Sequence, residues 1–382
     1  MIINTHYTLF SLIVFFIGLV NCFSAPNISL KLEIERSLDR GTSWLLENQD
    51  MKDGNWGSPD YPALTALALR TILGHQSIKE QIKHNRQVEK GFSFLRRKVQ
   101  SDGGIYGKGL ASYNTSISLL AFLQYKKPED EKIIEDARSF LINQQSDFDR
   151  KGEPDNIFDG GIGYGSTWAH SDMSNTHLAM EALYYAKKTI KSKEGGMLDL
   201  DWDSAIQFVS RCQNLPESND QAWVSSYSDD RGGFVYFPGN SMAGERLDSR
   251  GRTSLRSYGS MSYAGLLSFI YAEMSPSDKR LVEVRKWLSK NYTIEENPGM
   301  GMQGLYYYYH TMAKALSLSG VDEVLDGDGN PVDWREELSI RLFDQQKENG
   351  FWINQSGRWW EKDPILVSCY AMLALERIYH AL

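Results

Sequence analysis

Apolar positions along this chain fall into two alternating kinds of run, and the alternation repeats six times. The first kind is amphipathic and ends in a Gln followed by a glycine turn, as in Arg40-Gly41-x-x-Trp44-Leu45-x-x-x-Gln49-x-x-x-x-Gly54-x-Trp56. The second kind is rich in Ala and Leu, as in Tyr61-Pro62-Ala63-Leu64-Thr65-Ala66-Leu67-Ala68-Leu69 and Thr311-Met312-Ala313-Lys314-Ala315-Leu316. Its polar positions are too sparse for an exposed helix, so it predicts a helix packed on every side.

Later copies keep the frame and vary the letters. Lys90-Gly91-Phe92-Ser93-Phe94-Leu95 precedes Gln100 and Asp102-Gly103-Gly104-Ile105-Tyr106; Phe140 and Gln144-Gln145 precede Asp159-Gly160-Gly161; Gln213 precedes Asp230-Arg231-Gly232-Gly233-Phe234. A fifth copy is degenerate, with Trp287 and Leu288 before Gly299, and a sixth is sharp, with Gln345-Gln346 before Asn349-Gly350-Phe351-Trp352. A period of about 50–70 residues marks a repeat architecture. The fold class that follows is all-α: an (α/α)6 toroid of six helix pairs, each an outer amphipathic helix, a glycine turn and an inner apolar helix. Gly suits the turn because the chain must reverse tightly with positive φ.

The N-terminus changes the picture at one end only. Leu9 to Val20 is an apolar run of about 12 residues, too short to span a bilayer and suited to a signal h-region, with cleavage expected after Ser24. Residues 1–24 are thus expected to be a signal peptide, residues 25–382 one toroid domain, and the protein secreted or periplasmic. Of three cysteines, Cys212 and Cys369 remain after cleavage, on an outer and an inner helix, and a disulfide scaffold is excluded. A net charge of −8 with scattered acids and no basic stripe argues against nucleic acid as a partner. No obligate protein partner is indicated. Less regular stretches at 146–158, 191–203, 216–230 and 322–333 read as loops between helices, the last with a hairpin-like turn ahead of Trp334.

The repeats resemble the QW motifs of squalene and triterpene cyclases, and a ring of helix pairs is similar to the toroid those enzymes share with the β-subunits of protein prenyltransferases. The resemblance covers nearly the whole mature chain. It implies two places to look for chemistry. Class II cyclases of that superfamily protonate an alkene with an Asp-x-Asp-Asp-Thr cluster at an inner-helix start; here the matching place reads Asp172-Met173-Ser174-Asn175-Thr176, so Asp172 remains while Ser174 and Asn175 replace the other acids. Prenyltransferases hold zinc with Asp, Cys and His; Tyr308-Tyr309-His310-Thr311 resembles the His element, but Tyr258-Gly259-Ser260 stands at the Asp-x-Cys step. One ligand of three does not hold zinc, and no metal or other cofactor is expected.

In a closed ring the inner helices start on one side, so their first residues meet around one cavity. Asp60, Asn114, Asp172 or Ser174, Ser260 and Asp363 suit N-caps, while Pro62 and Pro364 suit a first turn. Aromatic residues gather at the same starts: Tyr113, Trp168, Tyr258, Tyr263, Tyr306 to Tyr309, Trp352, Trp359 and Trp360. Four consecutive tyrosines on a helix face all directions, so at most two of them line a cavity. The expected catalytic residues are Asp172 and His310, and the expected ligand-binding residues Ser174, Asn175, Tyr258, Tyr263, Tyr309 and Trp359. Two readings stand. The first is a secreted, cyclase-like repeat protein binding an apolar or isoprenoid small molecule without the usual acid. The second is a polysaccharide lyase, with His310 as base, Tyr258 or Tyr309 as acid and Asn175 or Arg358 near a uronate carboxylate.

Overall fold

A computed structural model of the chain describes residues 28–75, 85–165, 170–189, 198–225, 227–247, 251–325 and 329–382. The expected signal segment and Trp168 lie outside the described residues. Six outer helices alternate with six inner ones. The outer set is α1 (Ile28–Glu47), α3 (Arg86–Arg96), α5 (Glu131–Ile142), α7 (Trp202–Arg211), α9 (Lys279–Lys290) and α11 (Trp334–Gln345). The inner set is α2 (Pro62–Gly74), α4 (Ala111–Tyr125), α6 (Met173–Thr189), α8 (Gly259–Tyr271), α10 (Leu305–Leu318) and α12 (Pro364–Ala381). Each inner helix packs on the next, and α12 packs back on α2, so the inner ring is closed. The outer ring closes where α1 meets α11 and α12. The molecule is the all-α toroid of six helix pairs that the repeats imply.

Burial explains the composition of the two sets. Every residue from Pro62 to Leu73 of α2 is buried, whereas α3 buries one stripe, Val88, Gly91, Phe92, Phe94 and Leu95. Ala-rich inner helices approach one another closely, and their large residues fill one continuous core. Among the described residues the strands are two short antiparallel hairpins, Glu245–Leu247 with Thr253–Leu255 and Val324–Leu325 with Pro331–Val332, the second just ahead of Trp334, as the hairpin-like turn there implies.

The repeat letters have a common physical role: they join one outer helix to the next. The side-chain amide of Gln49 donates to the carbonyls of Gly54, in its own turn, and of Gln87, at the start of α3, both at 2.8 Å. Gln145 bonds Gly160 and Asp201 in the same way, Gln213 bonds Gly232 and Arg280, and Gln346 bonds Gly350 and Ser37. The glycines follow from the same geometry. Gly54, Gly103, Gly160, Gly232 and Gly350 all have φ between +81° and +95°. A Cβ there would fall within 3.0 Å of a main-chain carbonyl oxygen of the next outer helix, on Lys90, Asp136, Ser204, Glu283 and Arg40 respectively. The turn demands glycine twice over, for its backbone and for its space. Trp56 and Trp352 finish the unit by donating their indole N–H to the carbonyls of Leu45 and Leu342. Because Gly350 and Gln346 address α1, the sixth copy closes on the first.

Cys212 and Cys369 are free and buried.

Candidate functional site

The inner-helix starts do meet around one cavity, of about 370 Å³, to which all six inner helices contribute. Tyr61, Ala63 and Leu64 stand at the start of α2; Leu110, Tyr113 and Asn114 at α4; Ser174 on α6; Tyr258, Ser260 and Met261 at α8; Gly304 and Tyr307 at α10; Leu366 and Tyr370 on α12. Loops add Tyr164, Tyr236 and the strap Trp359-Trp360-Glu361. Across the cavity the hydroxyls of Tyr113 and Tyr370 lie 3.1 Å apart, and the rings of Tyr307 and Tyr370 meet edge to face at 5.7 Å.

Helix capping differs from the expectation in who caps whom. Asp172 and Asp363 cap their own helices: Asp172 Oδ1 accepts the N–H of Asn175 at 2.9 Å, and Asp363 Oδ1 accepts that of Ile365 at 2.8 Å. Asn114 and Ser260 do not. The Oδ1 of Asn114 accepts the N–H of Ala63, at the start of the neighbouring α2, and Ser260 is itself capped, its N–H donating to Asn297 Oδ1. The N-terminus of α10 is served by Glu361, whose carboxylate accepts the N–H groups of Tyr307 at 2.9 Å and Tyr306 at 3.4 Å. Asp60 caps nothing by its side chain; its carbonyl accepts the N–H of Lys108. Neighbouring repeats thus satisfy one another's helix starts, an exchange that spacing within one repeat does not reveal.

Of the eight site residues expected from the sequence, Ser174, Tyr258 and Trp359 line the cavity. Asp172 and Asn175 do not line it and are fully buried beside it. The Asp172 carboxyl is gripped by Asn175 through both the main-chain N–H and the side-chain amide, at 2.9 and 2.8 Å. Burial pushes this carboxyl up to about 6 against those hydrogen bonds and the nearby His170. Its charge in turn helps burial to raise the phenols of the lining residues Tyr164, Tyr236 and Tyr258. Tyr263 and Tyr309 are core residues: Tyr263 packs on Tyr308 at 5.6 Å, and the Tyr309 hydroxyl donates to the carbonyl of Ile294. Of the four consecutive tyrosines Tyr307 alone lines the cavity, and Trp352 is core.

His310 is not among the lining residues. Its ring stacks on Tyr370 at 5.6 Å and its Nδ1 has no hydrogen-bond partner. Burial, with the cations Lys314, Arg70 and Arg377, holds its pKa well below 6.5, so it is neutral. The surrounding layer is charged: Lys314 Nζ lies 2.8 Å from Glu181 Oε2, Arg70 lies 3.7 Å from Oε1, and His177 is buried alongside. Inner helices apolar nearly all round thus carry buried charges, which spacing gave no reason to expect. Among the described residues no three His, Cys, Asp or Glu side chains gather as metal ligands.

Glu361, Tyr164, Tyr236 and Tyr370 line the cavity without having been anticipated, while Trp360, expected near it, was left out of the ligand-binding set. Glu361 is 1% exposed and also accepts the side-chain amide of Asn354 at 2.6 Å. Its position as the one acid between the Trp pair and Asp363-Pro364 was a usable signal. Trp359 and Trp360 hold left-handed backbone, φ 53° and 65°, although both are bulky and exposed. Such conformations cost on the order of 1–3 kcal/mol each and concentrate at ligand clamps. Trp360 packs edge-on against Tyr61 at 4.6 Å, and Gly304, φ 66°, leaves room for the Trp359 ring, which a Cβ would approach to 3.1 Å.

No protein-family model matches the chain, and no curated protein matches it by sequence. Solved structures match it in shape. The type II terpene cyclase MstE from Scytonema, in a variant bound to geranylgeranyl dihydroxybenzoate, is 12% identical with a TM-score of 0.54, covering 93% of this chain and 100% of that one. The GH76A α-1,6-mannanase from Salegentibacter sp. is 10% identical with a TM-score of 0.58, covering 91% and 100%. An inactive variant of that mannanase was solved with α-1,6-mannotriose, at 11% identity and the same TM-score of 0.58. At such identities the likeness establishes the α/α toroid.

Proposed function

We propose that this chain binds an apolar or isoprenoid small molecule in its central cavity. The observation that carries the reading is the lining itself: nine aromatic side chains, with Ala, Leu and Met between them, against one charged group, Glu361. A cavity of about 370 Å³ is within the ~300–1,000 Å³ of small-molecule sites, which are mostly apolar with few oriented polar groups. MstE, on the same fold, was solved with a geranylgeranyl ligand. Ser174 stands in the cavity where a cyclase would present its middle acid, and a hydroxyl does not protonate an alkene. The reading is therefore binding and not cyclisation through that cluster.

The second reading, action on a polysaccharide, is favoured by the exposed rings of Trp359 and Trp360 at the cavity, since aromatic faces suit sugar rings. It asks His310 to act from behind Tyr370. Mass spectrometry of a solvent extract of the purified chain separates the two. A polyisoprenoid retained at near one per chain supports binding. An empty extract, together with unsaturated uronate formed on incubation with a polyuronate, transfers the function to the second reading.

A further inference from the structure

Among the described residues, two buried carboxyl groups flank the cavity without a Lys or Arg partner. Glu361 is 1% exposed and Asp172 is 0% exposed. Their oxygens take hydrogen bonds from Tyr306 N, Tyr307 N and Asn354 Nδ2, and from Asn175 N and Nδ2. Among the described ion pairs neither residue appears. Three other buried carboxylates are paired, Asp130 with Arg96 at 2.6 Å, Glu181 with Lys314 at 2.8 Å and Asp230 with Arg246 at 2.7 Å, while Asp159 and Glu376, away from the cavity lining, are absent from the described ion pairs as well. Buried charges are seldom left without a counter-charge, because hydrogen bonds offset desolvation without neutralising the field.

The groups around Glu361 suit a cation. Trp359, Trp360, Tyr61, Tyr307 and Tyr370 line the same cavity, and aromatic faces attract a desolvated positive charge electrostatically. Trp359 already takes one, the Arg358 guanidinium at 4.6 Å from its ring centroid; that guanidinium is exposed, is bonded to Gln303 and makes no described ion pair with Glu361. His170 is the basic side chain that acts on Asp172.

We propose that the ligand is an organic cation, an amine or quaternary ammonium on an apolar tail, with its charged head between the Glu361 carboxylate and the aromatic lip. This rests on the apolar-ligand reading above and adds the charge of the head. A set of probes with one tail decides it: decyltrimethylammonium, 1-decanol and decyl sulfate, each below its micellar concentration, titrated calorimetrically into the full chain. The cation binds at least tenfold more tightly than either of the others. In Glu361→Gln, which keeps an acceptor for the Tyr307 N–H, the preference falls to within threefold. Equal affinity for cation and alcohol, tighter binding of the sulfate, or a preference untouched by Glu361→Gln overturns the proposal while leaving the apolar cavity standing. Binding of none of the three removes both readings. Should Glu361→Gln not fold, by circular dichroism, the ranking in the unaltered chain and in Asp172→Asn decides.

Discussion

Replacing Asp172 by Asn probes whether this carboxyl is a helix cap that pays a burial cost. Asn caps as well as Asp, so the N–H of Asn175 keeps an acceptor. The charge is what disappears. In the folded chain burial raises the Asp172 carboxyl from 3.8 to about 6. The fold therefore favours the protonated form, and the contribution is full below 3.8 and lost as pH rises through about 6. At 1.36 kcal/mol for each pH unit between those values, ionisation costs about 3 kcal/mol. Asn has no such charge to bury. Its one local loss is the hydrogen bond from the Asn175 side-chain amide to Oδ2, worth about 1 kcal/mol at every pH. Stability measured by urea denaturation should thus favour wild type at acid pH and move toward Asp172→Asn by about 3 kcal/mol on going from below 3.8 to well above 6. A difference between the two proteins constant to within about 0.5 kcal/mol across that range, or one that moves toward wild type as pH rises, refutes the buried-charge account, since a solvated cap favours the ionised carboxylate.

Three further perturbations test the ring itself. Gln213→Ala removes donors to the buried carbonyl of Gly232 and the half-buried one of Arg280 and should cost about 2–4 kcal/mol in the same assay; a loss under about 1 kcal/mol contradicts the clamp. Gly160→Ala places a Cβ against the Ser204 carbonyl at φ +81° and should cost at least about 1–2 kcal/mol from the backbone alone, which a melting curve unchanged from wild type excludes. Lys314→Met removes the hydrogen-bonded cation of the buried Glu181 carboxylate, leaving it Arg70 at 3.7 Å, and should destabilise by up to about 3–5 kcal/mol; an unaltered midpoint shows that the pair is dispensable.

The fold was legible because each repeat repeats a physical need. Gln213 must reach the next outer helix and Gly232 must turn where no Cβ fits, so the same letters return in the same order. The site was legible only in part, because it is assembled between repeats. Position in the chain placed Ser174, Tyr258 and Trp359 at the cavity, since each lies at or near an inner-helix start. It misjudged Tyr309 and His310, which lie further along α10 and turn their side chains into the core and toward Lys314. Glu361 was missed because it caps α10 from another repeat, and a cap supplied in trans leaves no local spacing to read. The clamp letters are few for a similar reason: Gly299, in the degenerate fifth copy, faces Ser257 and not the next outer helix.

Calorimetric titration of the full chain with farnesol and, separately, with α-1,6-mannotriose tests the central claim most directly. The account predicts saturable one-to-one binding of farnesol, abolished when Leu366→Trp fills the cavity in a chain that keeps its helical signal. Saturable binding of mannotriose with no heat from farnesol contradicts it.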